Sequence, residues 1–177
     1  MLKKILILLL AVVLLAGCQK DHTRQIDEEK YNAYLAYYQA ILDYDNKKTS
    51  SDNFSIGVVA NKISDTQYRY DVIVDNPRIA MYDIEILAIV ENISATINTE
   101  VMMPSIGIFD AVKYNMIPYQ VDITHNFVKG LDLSVLTADN PVHIGVMVSW
   151  KDKDSGNVSR EYFSLAATYT EPVEDKN

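Results

Sequence analysis

The segment 142–150 reads VHIGVMVSW, and its period of two decides the fold class. Its branched and aromatic residues occupy alternate positions: Val142, Ile144, Val146, Val148 and Trp150. These residue types favour strands. The polar run KDKDSGN (151–157) follows, and residues 158–169 then alternate again, with Phe163, Leu165 and Ala167 on one face. Two alternating runs joined by a turn predict a β-hairpin that buries one face.

The same alternation extends upstream to residue 54 and predicts further strands. It is clear in segments 54–58, 68–74 and 82–90, and Asp75-Asn76-Pro77 breaks the second of them. In the segment 82–90 both faces are apolar, because Leu87 and Ile89 oppose the main apolar set, so burial on both sides is expected.

The stretch between these strands and the final hairpin is less regular. Extended segments are expected near 96–103, 106–115 and 119–125. The spacing of Leu131, Leu133 and Leu136 predicts a short helical turn, which Asn140-Pro141 ends.

Upstream of residue 54 the period changes to that of a helix. Residues 24–44 carry an apolar stripe at helical spacing, formed by Tyr31, Tyr34, Leu35, Tyr38, Ile41 and Leu42. The polar run 45–53 predicts a loop between this amphipathic helix and the strands. The stripe either packs on the strand domain or forms a projecting arm, and the sequence leaves both arrangements open.

The first 17 residues have the organisation of a targeting segment. Lys3 and Lys4 precede an unbroken apolar run over residues 5–16. In a helix this run spans about 18 Å, against roughly 30 Å of membrane hydrocarbon. A charged start followed by a short apolar run is typical of a cleaved signal peptide rather than a spanning helix.

The run ends in Leu15-Ala16-Gly17-Cys18, which resembles the lipobox of bacterial lipoproteins. The resemblance implies cleavage between Gly17 and Cys18 and a diacylglyceryl modification, with chains such as palmitate, on the Cys18 sulfur. It also implies attachment to the outer face of the cell membrane. Because Gln19 rather than aspartate follows the cysteine, the resemblance implies the outer membrane in a host with two membranes. Two or more acyl chains hold a protein firmly on a bilayer.

The strand half resembles the immunoglobulin-like and fibronectin-type modules of bacterial surfaces, on its strand pattern and on Trp150 in a strand. We therefore expect a mainly β fold, an antiparallel immunoglobulin-like sandwich of seven or eight strands preceded by one helix. The predicted organisation is a signal peptide (1–17), a short tether (18–23), the helix (24–44), a loop (45–53), the sandwich (54–169) and a flexible tail (170–177).

Composition limits the function. The chain of 177 residues has a net charge of −8, and loss of Lys3 and Lys4 with the signal peptide makes the rest more acidic. An acidic domain does not favour nucleic acid. Since Cys18 is the only cysteine, disulfides and cysteine-based metal sites are excluded.

No residue pattern indicates catalysis. The three histidines (His22, His125 and His143) lack metal-ligand spacing, and the chain contains no Gly-x-Ser-x-Gly motif or phosphate-binding glycine loop. We therefore expect no catalytic residues, no metal and no cofactor, and a protein that is not an enzyme.

The candidate partner surface is the tyrosine-rich helix. It contains Tyr31, Tyr34, Tyr37, Tyr38 and Tyr44, and tyrosine is common at protein interfaces. The sequence predicts a lipid-anchored, non-enzymatic envelope protein whose sandwich binds or supports another envelope protein. The alternative is a lipoprotein that binds a small ligand or glycan at a Tyr-lined site between helix and sandwich.

Overall fold

The structure, a computed structural model, describes residues 27–91, 101–153 and 156–171. The predicted signal peptide, the tether and most of the tail lie outside these residues. Within them the chain forms one α-helix and eight β-strands. These are α1 (Glu28–Asp43), β1 (Ser55–Ser64), β2 (Gln67–Asp75), β3 (Met81–Val90), β4 (Ser105–Ile106), β5 (Tyr114–Met116), β6 (Gly130–Thr137), β7 (Val142–Lys151) and β8 (Val158–Ala167).

The strands form two antiparallel sheets. One has the order β1-β2-β6 and the other the order β4-β3-β7-β8, with β5 pairing with the same edge of β3 as β4. The apolar faces of both sheets meet in one core, which includes Phe54, Tyr70, Ile86, Val146 and Phe163. The predicted mainly β, antiparallel sandwich preceded by a helix is confirmed.

The hairpin of β7 and β8 forms as the alternation predicts. Val142 pairs with Ala167 and Lys151 with Val158 in one unbroken register. The predicted inward residues of β7, from Val142 through Trp150, are at most 3% exposed. On the opposite face Gly145 and Met147 are also buried, which the alternation alone does not predict.

Helix α1 causes this second burial. Tyr34, Tyr38 and Ile41 pack with Leu87, Ile89 and Met147 on the outer face of the β3–β7 sheet. The molecule therefore has three layers (helix, four-stranded sheet with β5, three-stranded sheet), and β3 is buried on both faces as predicted. The open question of a packed helix or a projecting arm is thus answered: the helix is packed.

The helix bounds follow from its caps. The Asp27 carboxylate accepts a hydrogen bond from the Glu29 backbone N–H at 3.1 Å, which satisfies one of the free donors of the first turn. The backbone N–H of Tyr44 donates to the Ala40 carbonyl, and Tyr44 itself is extended. The structured helix accordingly lies inside the predicted range 24–44.

Gly145 allows the helix to approach β7. A Cβ at this position would lie 2.6 Å from Cγ2 of Ile41 and 2.9 Å from a carboxylate oxygen of Glu91. Because Ile41 is fully buried and branched, it has little room to move.

We therefore expect Gly145→Ala to lower the free energy of unfolding by about 1–3 kcal/mol, the usual effect of overpacking. Urea denaturation measures this. Gly57→Ala is the matched control, since Gly57 is also on a strand but a Cβ there meets nothing within 4 Å. Equal stability of the two variants would contradict the close approach.

Two predictions for the middle of the chain are wrong. Leu131 and Leu133 belong to strand β6 rather than to a helical turn, and both are buried while Leu136 is exposed. The buried set is Leu131, Leu133 and Val135, a period of two, so the spacing of Leu133 to Leu136 was misleading. The expected strand over 119–125 is instead a compact loop that ends in a 3-10 turn, Ile123–His125.

The other two extended segments are only partly confirmed. Within 106–115, the strand residues are Ile106, the end of β4, and Tyr114 and Asn115 in β5. Most of the segment 96–103 lies outside the described residues, and its described part, 101–103, is not a strand.

The predicted loop 45–53 runs along the outer edge of β8. The Lys48 backbone N–H donates to the Tyr162 carbonyl at 2.8 Å, and the Ser164 N–H donates to the Lys48 carbonyl at 3.0 Å. The side chains of Lys47 and Lys48 form ion pairs with Glu91 and Glu161. The loop is thereby fixed to the sheet.

Candidate functional site

The five tyrosines predicted as a partner surface divide into two groups. Tyr34 and Tyr38 are 1% and 4% exposed and fill the seam between helix and sheet. Tyr31 and Tyr37 are half-buried, and Tyr44 is exposed. Because a buried ring cannot contact a partner, the accessible part of this surface consists of the last three.

Tyr37 lies at the rim of the seam and joins the helix to β3 and β8. Its hydroxyl donates to Oε2 of Glu85 at 2.7 Å. The guanidinium carbon of Arg160 lies 5.0 Å from the Tyr37 ring centre, within the range of a cation–π contact. Arg160 itself is exposed, so its charge remains available to solvent.

Tyr44 continues this surface at the end of the helix. Its ring stacks on Tyr162 with centroids 4.6 Å apart and planes inclined by 24°. Tyr162 follows Arg160 by two residues on β8, so both side chains are on the face towards the helix. The four residues Tyr37, Arg160, Tyr162 and Tyr44 therefore form a continuous line, which we call the Tyr–Arg strip.

Residue type distinguishes the Tyr–Arg strip from ordinary surface. Tyrosine and arginine are among the residues that contribute most to binding energy at protein interfaces. Ring stacking, the cation–π contact and the hydrogen bond from Tyr37 to Glu85 already hold these side chains in place, which reduces the entropy lost on binding. The helix pattern predicts Tyr37 and Tyr44, whereas nothing in the local sequence points to Arg160 and Tyr162, because only the fold brings β8 beside the helix.

Burial alters the acidity of two seam tyrosines. Desolvation raises the pKa of Tyr34 above its ordinary value of 10.0, although the backbone N–H of Met103 partly opposes the shift. Desolvation also raises the pKa of Tyr37, and its hydrogen bond to Glu85 adds to the effect. Both phenols therefore hold their protons more tightly in the folded protein than in the unfolded chain.

The sign of the resulting pH dependence follows from linkage. The stability contributed by these phenols is fully present below pH 10.0 and is lost as the pH rises through the higher folded pKa values. We expect the free energy of unfolding, measured by urea denaturation, to fall above pH 10.0. The fall should be less steep in Tyr37→Phe, and an unchanged slope in that variant would contradict this origin.

Among the described residues, the seam between helix and sheet leaves little room for the ligand site of the alternative prediction, which stays a prediction. Its interior is filled by Tyr34, Tyr38 and Ile41. Two grooves lie at its edge, with volumes of about 140 and 280 Å³. Both are smaller than the roughly 300–1,000 Å³ of typical ligand pockets. They are lined largely by charged side chains, including Glu85 and Lys113.

A second notable surface is the loop between β5 and β6. Tyr119, Val121 and Ile123 are all strongly exposed, and Tyr119 is fully so. The segment reads YQVDI (119–123) and lies in the extended segment expected near 119–125. Its three alternate large side chains face solvent instead of a core.

Hydrogen bonds hold this loop rigidly. Asp122 and Phe127 exchange two backbone hydrogen bonds, each of 2.9 Å. The Asp122 carboxylate also accepts from the hydroxyl and backbone N–H of Thr124 and lies 2.7 Å from Nδ1 of His125. The hydrogen bond from the Thr124 hydroxyl lowers the pKa of Asp122 below its usual value, and the contact with His125 adds to this effect.

The described part of the chain does not bring its histidines together as a metal site. Within residues 27–91, 101–153 and 156–171, no group of three or more His, Cys, Asp and Glu side chains is placed to hold a metal ion. His125 belongs to the loop just described, and His143 is exposed on β7. In the same residues, no helix is long and apolar enough to cross a membrane.

The comparison with known families concerns the N-terminus. Residues 3–19 match the family model of the prokaryotic membrane lipoprotein lipid attachment site. The match includes Gly17 and Cys18, and it supports a lipid-anchored lipoprotein attached to a membrane through Cys18. Comparison with curated proteins and with solved structures finds no match.

Proposed function

We propose that this lipoprotein is a non-enzymatic binding module of the bacterial cell envelope, which holds another envelope protein close to the outer face of the membrane through the Tyr–Arg strip. The observation that carries the proposal is the continuous line of Tyr37, Arg160, Tyr162 and Tyr44. The line is prearranged, accessible and composed of residue types that dominate interface energetics.

The attachment site supports the location. Eight residues (19–26) separate Cys18 from Asp27, the N-cap of helix α1, so this connection can extend about 30 Å at most. A domain held this close to the bilayer meets membrane-associated proteins at a high effective concentration, so a modest interface can suffice.

Photocrosslinking in native membranes tests the proposal. A photoreactive phenylalanine at position 44 is expected to give one discrete crosslinked product with an envelope protein, which mass spectrometry identifies. The same group at position 136 is the matched control, because Leu136 is also exposed but lies on β6 in the other sheet. The product should be absent there.

Two substitutions make the test specific. Arg160→Ala should abolish the product from position 44, since it removes the central charge of the strip. Val59→Ala, which shortens an exposed side chain on β1 in the other sheet, should leave the product intact. Identical product patterns from positions 44 and 136, or a product unaffected by Arg160→Ala, would refute the role of the strip.

We also propose that the sandwich is immunoglobulin-like. The sheet β1-β2-β6 corresponds to strands A, B and E of that fold, and β3-β7-β8 to strands C, F and G. Trp150, however, lies on β7, the equivalent of strand F, whereas antibody domains place their core tryptophan on strand C. Superposition of strands B, C, E and F of an experimental structure on an antibody constant domain tests the assignment.

A further inference from the structure

We propose that the β5–β6 loop inserts Tyr119, Val121 and Ile123 into the interfacial layer of the phospholipid bilayer that holds the lipidated Cys18. The protein would then contact its membrane at two points, the acyl chains and this loop. The second contact fixes which side of the domain faces the bilayer. This inference rests on the lipid anchor but not on the Tyr–Arg strip.

The first support is the exposure of the loop. The side chains of Val121 and Ile123 are 57% and 76% exposed, and Tyr119 is exposed completely. All three side chains are therefore open to contact from outside the domain, which entry into a lipid surface requires. Tyrosine is enriched at the membrane–water interface, where its ring reaches apolar chains and its hydroxyl remains hydrated.

The backbone of Tyr119 provides the second support. Its φ is +61°, in the left-handed region that glycine and asparagine adopt far more readily than an aromatic residue. A turn hydrogen bond from the Gln120 backbone N–H to the Ile117 carbonyl, at 3.2 Å, holds this conformation, while the fully exposed ring contributes no burial to it. Tyrosine at this position is therefore better explained by what the side chain touches outside the domain.

The loop is also prearranged for insertion. The paired hydrogen bonds between Asp122 and Phe127 fix its shape, and Asn115 bonds to Asn126 and Val128 on the other side of the loop, each at 2.9 Å. A loop that is already ordered loses little conformational entropy when it enters the bilayer. Its one carboxylate, on Asp122, is occupied by hydrogen bonds to Thr124 and a contact with His125.

The position of the loop fits the length of the tether. Asp27 and Lys113 line one groove, so the start of the helix lies near the start of β5. Tyr119 follows Lys113 by six residues, which span about 20 Å at most. Since the tether from Cys18 to Asp27 can extend about 30 Å, the loop tip can reach the plane that contains the acyl chains.

The negative charge of the domain is compatible with this mode of contact. The domain is acidic, so it gains nothing from electrostatic attraction to anionic lipids. Apolar and aromatic insertion needs no positive charge and typically extends about 5–10 Å below the headgroups. A bilayer contact made by three apolar side chains is thus compatible with the charge of the protein.

Spin labelling of the lipidated full-length protein tests the proposal. Because the Cys18 sulfur carries the lipid, Ile123→Cys provides the only free thiol, and a nitroxide can be attached to it. The protein is reconstituted in vesicles of phosphatidylethanolamine and phosphatidylglycerol. Collisions of the label with oxygen and with a water-soluble nickel complex are then measured.

The label at position 123 is expected to collide several-fold less often with the nickel complex, and more often with oxygen, than a label in Val59→Cys. Val59 is the matched control because it is exposed on β1. Equal accessibility at the two positions would overturn the proposal. Incorporation of two labels per chain would instead show that Cys18 is not lipidated, so failure of the anchor is distinguishable.

Tyr119→Gly distinguishes an effect on membrane contact from an effect on the stability of the domain. Glycine adopts the positive φ without strain, so this variant should be at least as resistant to urea as the native protein. In the same background, the label at position 123 should become more accessible to the nickel complex. A label that is shielded in native membranes but not in pure vesicles would show that the loop contacts a protein, and would also overturn the proposal.

Discussion

Replacement of Tyr34 by alanine is expected to lower the free energy of unfolding by about 3–5 kcal/mol, the usual effect of truncating a large buried aromatic residue. The Tyr34 ring contacts those of Tyr31, Tyr38 and Phe109, with centroids 5.6–6.2 Å apart. Its hydroxyl also accepts a hydrogen bond from the Met103 backbone N–H at 2.9 Å. The substitution removes both the packing and the acceptor, so helix α1 should separate from the sheet before the sandwich unfolds.

Two further variants apportion the effect, and urea denaturation measures all three. Tyr34→Phe keeps the ring but leaves the Met103 N–H without its acceptor, which should cost about 1–3 kcal/mol. Tyr44→Ala removes an exposed ring that only stacks on Tyr162, which should cost about 1 kcal/mol. If Tyr34→Ala proved no more damaging than Tyr44→Ala, the helix would not be packed as described.

Gly107→Ala should destabilise the domain by about 2 kcal/mol or more, for two separate reasons. Gly107 has φ +78°, and a Cβ there would lie 2.2 Å from the Ile84 carbonyl oxygen. Backbone cannot move aside as a flexible side chain can. The glycine therefore lets the chain leave β4 while β3 pairs with both β4 and β5 along one edge.

Gly156→Ala separates the two reasons. Gly156 also has a positive φ of +63°, but a Cβ there meets nothing within 4 Å. Only the conformational term applies, so we expect a loss of about 1 kcal/mol. Thermal or urea unfolding of both variants gives the comparison. A loss in Gly107→Ala that only equals the loss in Gly156→Ala would show that the approach to Ile84 is looser than the geometry indicates.

The sequence predicted the fold where burial follows a simple period. The alternation of Tyr70, Val72 and Val74 and that of the final hairpin were both correct, because one face of each strand is buried in the sandwich core. The burial of β3 on both faces was also predicted correctly. Leu87 and Ile89 make its second face apolar, and an apolar face requires cover.

Elsewhere local spacing was not sufficient. Leu136 is exposed although Leu131 and Leu133 are buried, because it lies on the opposite face of β6, and this one apolar residue on the solvent face hid the period of two. For the candidate sites, helical spacing found Tyr37 and Tyr44. Arg160 and Tyr162 are more than a hundred residues away along the chain, and only the packing of α1 on the sheet that contains β8 brings them into the strip.

The backbone hydrogen bonds between Lys48 and the edge of β8 affect how neighbouring anchored chains can associate. Chains anchored to a bilayer diffuse in two dimensions and collide side by side far more often than free molecules would. Under these conditions an unpaired edge strand can form backbone hydrogen bonds with the edge strand of a neighbouring chain. Since the Tyr162 carbonyl and the Ser164 N–H are already bonded within the same chain, that stretch of rim cannot nucleate lateral polymers.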